Sequence, residues 1–338
     1  MITLDPAQTL VTVTGASGFI ALHCVRELLK QGYGVRGTVR DLGLVPSLRD
    51  ALHPLGDSSR LSFVRADLMS DDGWDEAMSN VQRVLHVASP VPLERPKDEQ
   101  ELIAPARQGT LRVLAAAHRA RVSRVVMTSS MSAVSAGHPH EADRVFNESD
   151  YSDLEQGIGA YEKSKTLAER AAWEFARESG LELVCMNPVY VLGPSLRRVD
   201  NASNEIVGKL LRRELPGLPR LHFGLVDVRD VAVAHVLAMT HEQAAGERFI
   251  LFSETRTMKE IAMVLSEAGY RVPTLELPNF VVRLVALFDP VVRLVVDRLD
   301  KPFLTTSAKA KTMLGWSCRP MKDMVLDTAR QMLEDRPR

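Results

Sequence analysis

The chain has 338 residues, 45% of them apolar, enough to bury a sizeable core as one large domain or two smaller ones. Its 42 Lys and Arg nearly cancel its 43 Asp and Glu, so no net field gathers nucleic acid or anionic lipid, and a small molecule is the partner to expect. Cys24, Cys185 and Cys318 are too scattered for a disulfide framework or a zinc site; a cytoplasmic location is expected, since Met1 to Leu10 lacks the basic start and apolar run of a signal peptide.

In chain order, short β-branched runs alternate with helical stretches, the pattern of βαβ units. Strands are expected at Leu10 to Thr14, Gly34 to Val39, Leu61 to Ala66, Arg83 to Ala88, Arg124 to Ser129 and Glu182 to Asn187. Helices are expected at Phe19 to Lys30, Asp71 to Ser79, Gly109 to Arg119 and Tyr161 to Glu178. Beyond Asn187, Pro188, Gly193, Pro194, Pro216, Gly217 and Pro219 break the rhythm into loop and short helix. Val226 to Met239 and Arg248 to Phe252 read as a further helix and strand that return to the sheet. The fold class is therefore α/β: a doubly wound parallel sheet of Rossmann type with a smaller, mostly helical C-terminal substrate domain. Residues 1–188 with 226–253 would bind a dinucleotide, and residues 189–225 with 254–338 the substrate. Within Asn279 to Leu299, charges and Pro290 interrupt the apolar run, so the segment reads as two amphipathic helices rather than a membrane span.

Thr12 to Ala21 follows the first strand and opens a helix, the context in which a glycine pattern binds phosphate. Gly15 permits the tight turn, and Gly18 lets backbone amides approach a pyrophosphate favoured by the helix N-terminus. Ser17, Phe19 and Ile20 complete this cofactor-binding stretch, and Ala21 stands where a third glycine is usual. Arg40, at the end of the second strand, suits the 2′-phosphate of NADPH by charge-assisted bonding, whereas an acid there would suit NADH. NADPH is therefore favoured over NADH, although Asp41 follows directly. Alternation puts Arg36 on the same face as Arg40, where it is expected to be solvated. Asp67 and Leu68 close the third strand, either facing the adenine or, for Asp67, capping the local turn.

Tyr161 and Lys165 stand four apart at the start of a helix and so share a face. A nearby ammonium is expected to lower the phenol's pKa from about 10 toward the working range of an acid or base. Ser130 tips the strand that begins at Arg124 and would hold a substrate carbonyl oxygen, stabilising the developing alkoxide. By itself a Tyr with a Lys four residues on is commonplace and reads as a surface pair. Its place after a phosphate-binding turn and a Ser-tipped strand makes it a catalytic candidate.

The segments Thr14 to Phe19 (TGASGF), Thr38 to Asp41 (TVRD), Ala66 to Leu68 (ADL) and His86 to Pro90 (HVASP) carry a family resemblance. Pro105 to Thr110, Thr128 to Ser130, Tyr161 to Lys165 (YEKSK), Val226 to Ala232 and Leu314 to Trp316 extend it over nearly the whole chain. The sequence resembles the extended short-chain dehydrogenase/reductases, in the branch of dihydroflavonol reductases, cinnamoyl-CoA reductases and microbial aldehyde or ketone reductases. That resemblance implies Ser130, Tyr161 and Lys165 as the catalytic triad, with Lys165 also bonding the nicotinamide ribose. It places Val87, Ala88, Ser89, Pro188 and Val191 along the cofactor cleft, and implies NADPH-dependent reduction of an aldehyde or ketone with Tyr161 as proton donor. Met131, Ser135 and Tyr190 are candidates for the substrate pocket, which would take a small hydrophobic carbonyl compound. Gly159 to Glu162 departs from the Asn-Trp-Tyr-Cys of true cinnamoyl-CoA reductases, and Ser135 from the Asn of plant dihydroflavonol reductases, so neither a CoA thioester nor a flavonoid is implied.

Nucleotide-sugar epimerase, hydroxysteroid dehydrogenase and non-catalytic NADP sensor are the alternatives. No metal is expected, since His138-Pro139-His140 has no carboxylate or thiol to complete a site. Arg197, Arg198, Arg212 and Arg213 are expected to be solvated, with an anionic substrate as the alternative. The protein is expected to be a monomer or homodimer with no nucleic-acid or membrane partner.

Overall fold

Consecutive apolar residues in a strand point to opposite faces, so a strand buried on both sides is apolar throughout. This is how the central strands of the protein are built. In the computed structural model, which describes residues 4–52, 58–90, 98–141, 143–197, 203–293, 295–302 and 304–334, Leu85, Val126 and Val184 enter one hydrophobic cluster. Their neighbours Val84, Val125 and Leu183 enter another on the opposite face.

The strands are β1 (Leu10–Val13), β2 (Gly34–Val39), β3 (Leu61–Arg65), β4 (Arg83–His86), β5 (Arg124–Thr128), β6 (Glu182–Pro188), β7 (Tyr190–Leu192), β8 (His222–Asp227), β9 (Arg248–Leu251) and β10 (Glu254–Thr257). The helices are α1 (Phe19–Lys30), α2 (Val45–Leu52), α3 (Trp74–Met78), α4 (Gln100–Arg119), α5 (Ala160–Ser179), α6 (Glu205–Arg212), α7 (Val228–Thr240), α8 (Met258–Glu267), α9 (Asn279–Val285), α10 (Pro290–Arg293), α11 (Ala308–Leu314) and α12 (Met321–Glu334).

Seven parallel strands form the main sheet in the order β3-β2-β1-β4-β5-β6-β9. Helices α1, α7 and α11 bury their apolar residues on one face, and α3, α4 and α5 on the other. The order reverses between β1 and β4, and such a switch point opens a crevice at the carboxyl ends of the two strands.

The segment after Asn187 departs from the expected loop and short helix. At Val189 the chain leaves β6 and enters a second sheet of three strands, in which β8 pairs parallel with β7 and antiparallel with β10. The boundary expected at 226 falls inside β8, and the helix expected from Val226 starts two residues later, at Val228, because Asp227 ends the strand and caps the helix by accepting from the Arg229 amide. The three residues of β7 and the mixed polarity of His222–Asp227 give too little alternation to stand out from punctuation by Pro and Gly.

A third hydrophobic cluster joins Leu192, Val207, Leu210 and Leu225 to Ile261, Leu265, Met324 and Val325. Arg229, bidentate on Asp227 and bonded at 2.6 Å to Asp327 of α12, ties it to α7. Trp316 Nε1 donates to the Asp230 carbonyl at 2.8 Å, so the VDVRDVA and LGW motifs act as joints between chain segments. The 279–299 region holds α9, α10 and a single turn at Val296–Arg298. Among the described residues no helix is long and apolar enough to cross a membrane.

Candidate active site

The switch point opens into a cleft of about 2260 Å³. Gly15, Ser17, Gly18, Phe19, Ile20, Arg40, Asp67 and Leu68 line its β1 to β3 side, and Val87, Ala88 and Ser89 its β4 side. Ser130, Met131, Ser135, Tyr161, Lys165, Pro188, Tyr190 and Val191 line the remainder. Every site residue expected from the sequence therefore meets at one cleft.

The phosphate turn is held from behind. The Gly15 amide donates to Thr38 Oγ1 at 3.0 Å, the Ala16 amide to the Thr38 carbonyl at 2.8 Å and the Gly18 amide to the Gly15 carbonyl at 2.8 Å. The amides of Ser17, Phe19 and Ile20 find no acceptor among the described residues, and Gly18 caps α1 without a side-chain bond. Free amides at a helix N-terminus favour a phosphate. Gly15 has φ +65°, and a Cβ there would stand 2.9 Å from that of Ala88, closing the gap between the β1 and β4 ends.

Thr14, absent from the expected site list, organises the facing wall. Its hydroxyl accepts from the amides of Val87 (3.1 Å) and Ala88 (3.0 Å), so its own proton points to His86 Nδ1 at 2.9 Å. His86 is thereby the Nε2–H tautomer, bonded to Thr110 Oγ1 at 3.4 Å, and burial lowers its pKa to about 3.

Arg40 is exposed at the end of β2, has no side-chain partner among the described residues and borders a small recess with Asp41, Leu42 and Arg65. Asp41 turns back to accept from the Gly43 amide at 2.8 Å, so its carboxylate serves the local turn. Arg36 corrects the expectation of a solvated side chain. Its guanidinium bonds the carbonyls of Glu76 (2.9 Å), Ala77 (3.4 Å) and Ser79 (2.6 Å), clasping the end of α3. Asp67 closes a turn by accepting from the Met69 amide at 2.9 Å while lining the cleft.

At the other end, Ser130 Oγ accepts from the Ser132 amide at 3.1 Å and hydrogen-bonds Tyr161. The Lys165 ammonium lies 5.7 Å from the Tyr161 ring centroid and donates to Ser89 Oγ at 2.9 Å. Burial lowers the Lys165 pKa to about 8, opposed by the charge of Glu169. The expectation of a lowered Tyr161 pKa is reversed: burial raises it, and the Ser130 hydrogen bond only partly offsets the rise.

Met131 is buried, Ser135 Oγ donates to the Met131 carbonyl at 3.3 Å, and Tyr190 packs on Phe223 with centroids 5.7 Å apart. His138 is bonded to the Tyr151 carbonyl at 2.8 Å, and no cluster of three or more potential metal ligands exists among the described residues. Arg212 pairs with Glu205 and Glu214, while Arg197 lies in the cleft wall, 3.5 Å from the Ser17 carbonyl; Arg198 lies outside the described residues.

The model of the NAD dependent epimerase/dehydratase family matches residues 11–251. The chain belongs to this family. Within it, the chain is of the extended short-chain dehydrogenase/reductase type that its motifs resemble. It is 37% identical to tetraketide alpha-pyrone reductase 1 of Arabidopsis thaliana over 282 residues, 82% of this chain and 85% of that protein. It is 34% identical to cinnamoyl-CoA reductase CAD2 of Medicago truncatula, covering 96% of this chain and 95% of the relative. Among solved structures, it is similar to yeast methylglyoxal/isovaleraldehyde reductase Gre2 complexed with NADPH, with TM-score 0.82 and 30% identity, covering 96% of this chain and 98% of the other.

Proposed function

We propose that this chain, an NADPH-dependent reductase of the extended short-chain type, reduces a hydrophobic aldehyde or ketone to an alcohol. The observation that carries the reading is the meeting of Ser130, Tyr161 and Lys165 at the switch-point cleft, opposite helix amides and an Arg40 that have no partner among the described residues. These residues fit a phosphorylated dinucleotide: the helix amides suit its diphosphate and Arg40 its 2′-phosphate, while Lys165 would bond the nicotinamide ribose as the family resemblance implies. When bound, the dihydronicotinamide supplies a hydride to the carbonyl carbon.

The chain's own residues handle the oxygen. Ser130 and Tyr161 donate to the carbonyl oxygen, aligning it and stabilising the charge that develops there. Tyr161 then releases its phenolic proton to that oxygen. Burial raises its pKa, so Tyr161 is protonated and able to donate at neutral pH but is a weaker acid than a free tyrosine, and the transfer depends on stabilisation of the phenolate it leaves. The Lys165 ammonium then stabilises the phenolate left behind. The cluster around β7, β8 and α8 would form the substrate side, and the apolar lining of Met131, Tyr190 and Phe223 selects a hydrophobic compound. Departure from the Asn-Trp-Tyr-Cys pattern at Gly159 to Glu162 favours a free aldehyde or ketone over a CoA thioester.

Purified enzyme should oxidise NADPH with members of a panel of aldehydes, ketones, β-keto esters and flavanonols, and Tyr161→Phe should lose at least about 100-fold in kcat with NADPH affinity kept. A Tyr161→Phe variant as active as the parent would overturn the mechanism.

A further inference from the structure

Glu169 lies on α5 two turns beyond Tyr161 and four residues beyond Lys165, on the face shared with both. Its carboxylate is fully buried, and each oxygen receives two donors. Oε1 accepts from Arg248 Nε at 2.6 Å and Trp173 Nε1 at 3.3 Å. Oε2 accepts from Asn187 Nδ2 at 2.8 Å and from the Ser129 hydroxyl. A buried carboxylate without partners is costly, so four convergent donors mark a side chain held firmly in place.

Trp173 lies on α5 itself, and the other three donors come from the carboxyl ends of β5 and β6 and from the first residue of β9. Ser129 directly precedes Ser130. Asn187 precedes Pro188, and its Nδ2 also donates to the Ser130 carbonyl at 3.1 Å. Arg248 of β9 extends the link: its Nη1 donates to the carbonyls of Glu148 (2.8 Å) and Asp150 (2.7 Å), and its guanidinium lies 3.9 Å from the Tyr151 ring centroid.

We propose that Glu169 is a positioning residue of the reaction, fixing Ser130 against the helix of Tyr161 and Lys165 through Ser129 and Asn187 while acting as counter-charge for the Lys165 ammonium. The proposal rests on the reductase reading above. Two effects are separable. The hydrogen bonds set where the Ser130 hydroxyl meets Tyr161, and the charge keeps Lys165 protonated in a place where burial lowers its pKa to about 8. The ionisable groups facing Lys165 are Tyr161 and Glu169 on its own helix and His86 at the end of β4. Those facing Glu169 are Arg248 of β9, Cys185 of β6 and Tyr151. Arg248 pairs with Glu169 directly, and among the described residues the Glu169 charge opposes the desolvation of Lys165.

The test compares kcat and KM against pH for wild type, Glu169→Gln, Glu169→Asp and Asn187→Ala, with circular dichroism and NADPH titration of each to show that it folds and loads. Glu169→Gln should lower kcat about 10- to 100-fold, with KM changed far less, and move the alkaline limb of kcat down by about one pH unit. Glu169→Asp, which keeps the charge, should return the limb to its wild-type position. Asn187→Ala keeps the charge and cuts the tie to Ser130, so kcat should fall about 10-fold with the limb unmoved. Competitive acetylation of Lys165, read by peptide mass spectrometry, should show its pKa falling in Glu169→Gln alone. A folded Glu169→Gln with an unmoved limb and unmoved Lys165 labelling overturns the counter-charge; Asn187→Ala with wild-type kcat overturns the positioning, even if Glu169→Gln does not fold. Wild-type turnover with an inactive Tyr161→Phe keeps these outcomes distinct from failure of the reductase reading.

Discussion

Lys165 is a buried charge in the cleft wall, with Ser89 as its hydrogen-bond partner and Glu169 as the opposing anion. Its pKa of about 8 makes it the first group of the catalytic set to change protonation as pH rises, since burial moves Tyr161 upward. Loss of the ammonium removes stabilisation of the phenolate that forms when Tyr161 gives up its proton. The reduction rate under saturating substrate should therefore be level near neutrality and fall as pH rises through about 8, and a profile level to pH about 10 would contradict this assignment. Arg40 makes a separate prediction. With no side-chain partner among the described residues, its guanidinium is available to a 2′-phosphate, a charge-assisted contact of about 1.5–3 kcal/mol. Arg40→Ala should weaken NADPH binding about 10- to 100-fold and leave NADH binding unchanged, measured by titration calorimetry; an equal loss for both cofactors would place the guanidinium elsewhere.

Between residues and the whole molecule, the β1 turn, β2 and β3 form one packed unit. Gly37 lies in β2 behind the phosphate turn, where a Cβ would stand 2.7 Å from that of Ala16 and 2.9 Å from the Phe63 ring. Gly37→Ala must push the turn toward the cofactor, with an overpacking cost of about 1–3 kcal/mol. Urea unfolding should show that loss, and NADPH affinity should fall with it; unchanged stability and affinity would mean the turn is not seated on β2 as described. At this scale the sequence is most legible where elements repeat one pattern. Helix α1 is read to the residue because apolar spacing, a glycine before Phe19 and Lys30 near its end agree. The small sheet is not legible, because β7 has three residues and its partner β8 is thirty residues away, with no local turn signal joining them. Arg36 shows the same limit in one side chain: alternation gives its face, but not that α3 ends across from it. Tyr161, Lys165 and Ser130 are legible as a set since Ser130 follows the end of a strand and Tyr161 opens a helix that carries Lys165 one turn on. Glu169 escapes because its donors come from Asn187 and Arg248, 18 and 79 residues on.

Across the whole molecule, the two faces of the sheet bury histidines that the fold keeps neutral. His23 of α1 holds the Pro194 carbonyl at 2.9 Å, and His86 sits between Thr14 and Thr110. His235 of α7 joins the Val231 carbonyl and the Thr128 hydroxyl, both at 2.7 Å. Burial lowers their pKa values to about 4, 3 and 4 respectively. In the unfolded chain each would titrate near 6.5, so between that pH and the folded values the unfolded state binds more protons, and stability must fall as pH falls. At pH about 5 each histidine withdraws about 2 kcal/mol, and the three together remove a large part of the 5–15 kcal/mol typical of a domain. Urea midpoints measured from pH about 7.5 to 5 should drop steeply below about 6.5, and His235→Gln, whose amide can keep both hydrogen bonds without titrating, should flatten that slope by about a third. A slope identical in the variant and the parent would mean that His235 is not held neutral by the fold.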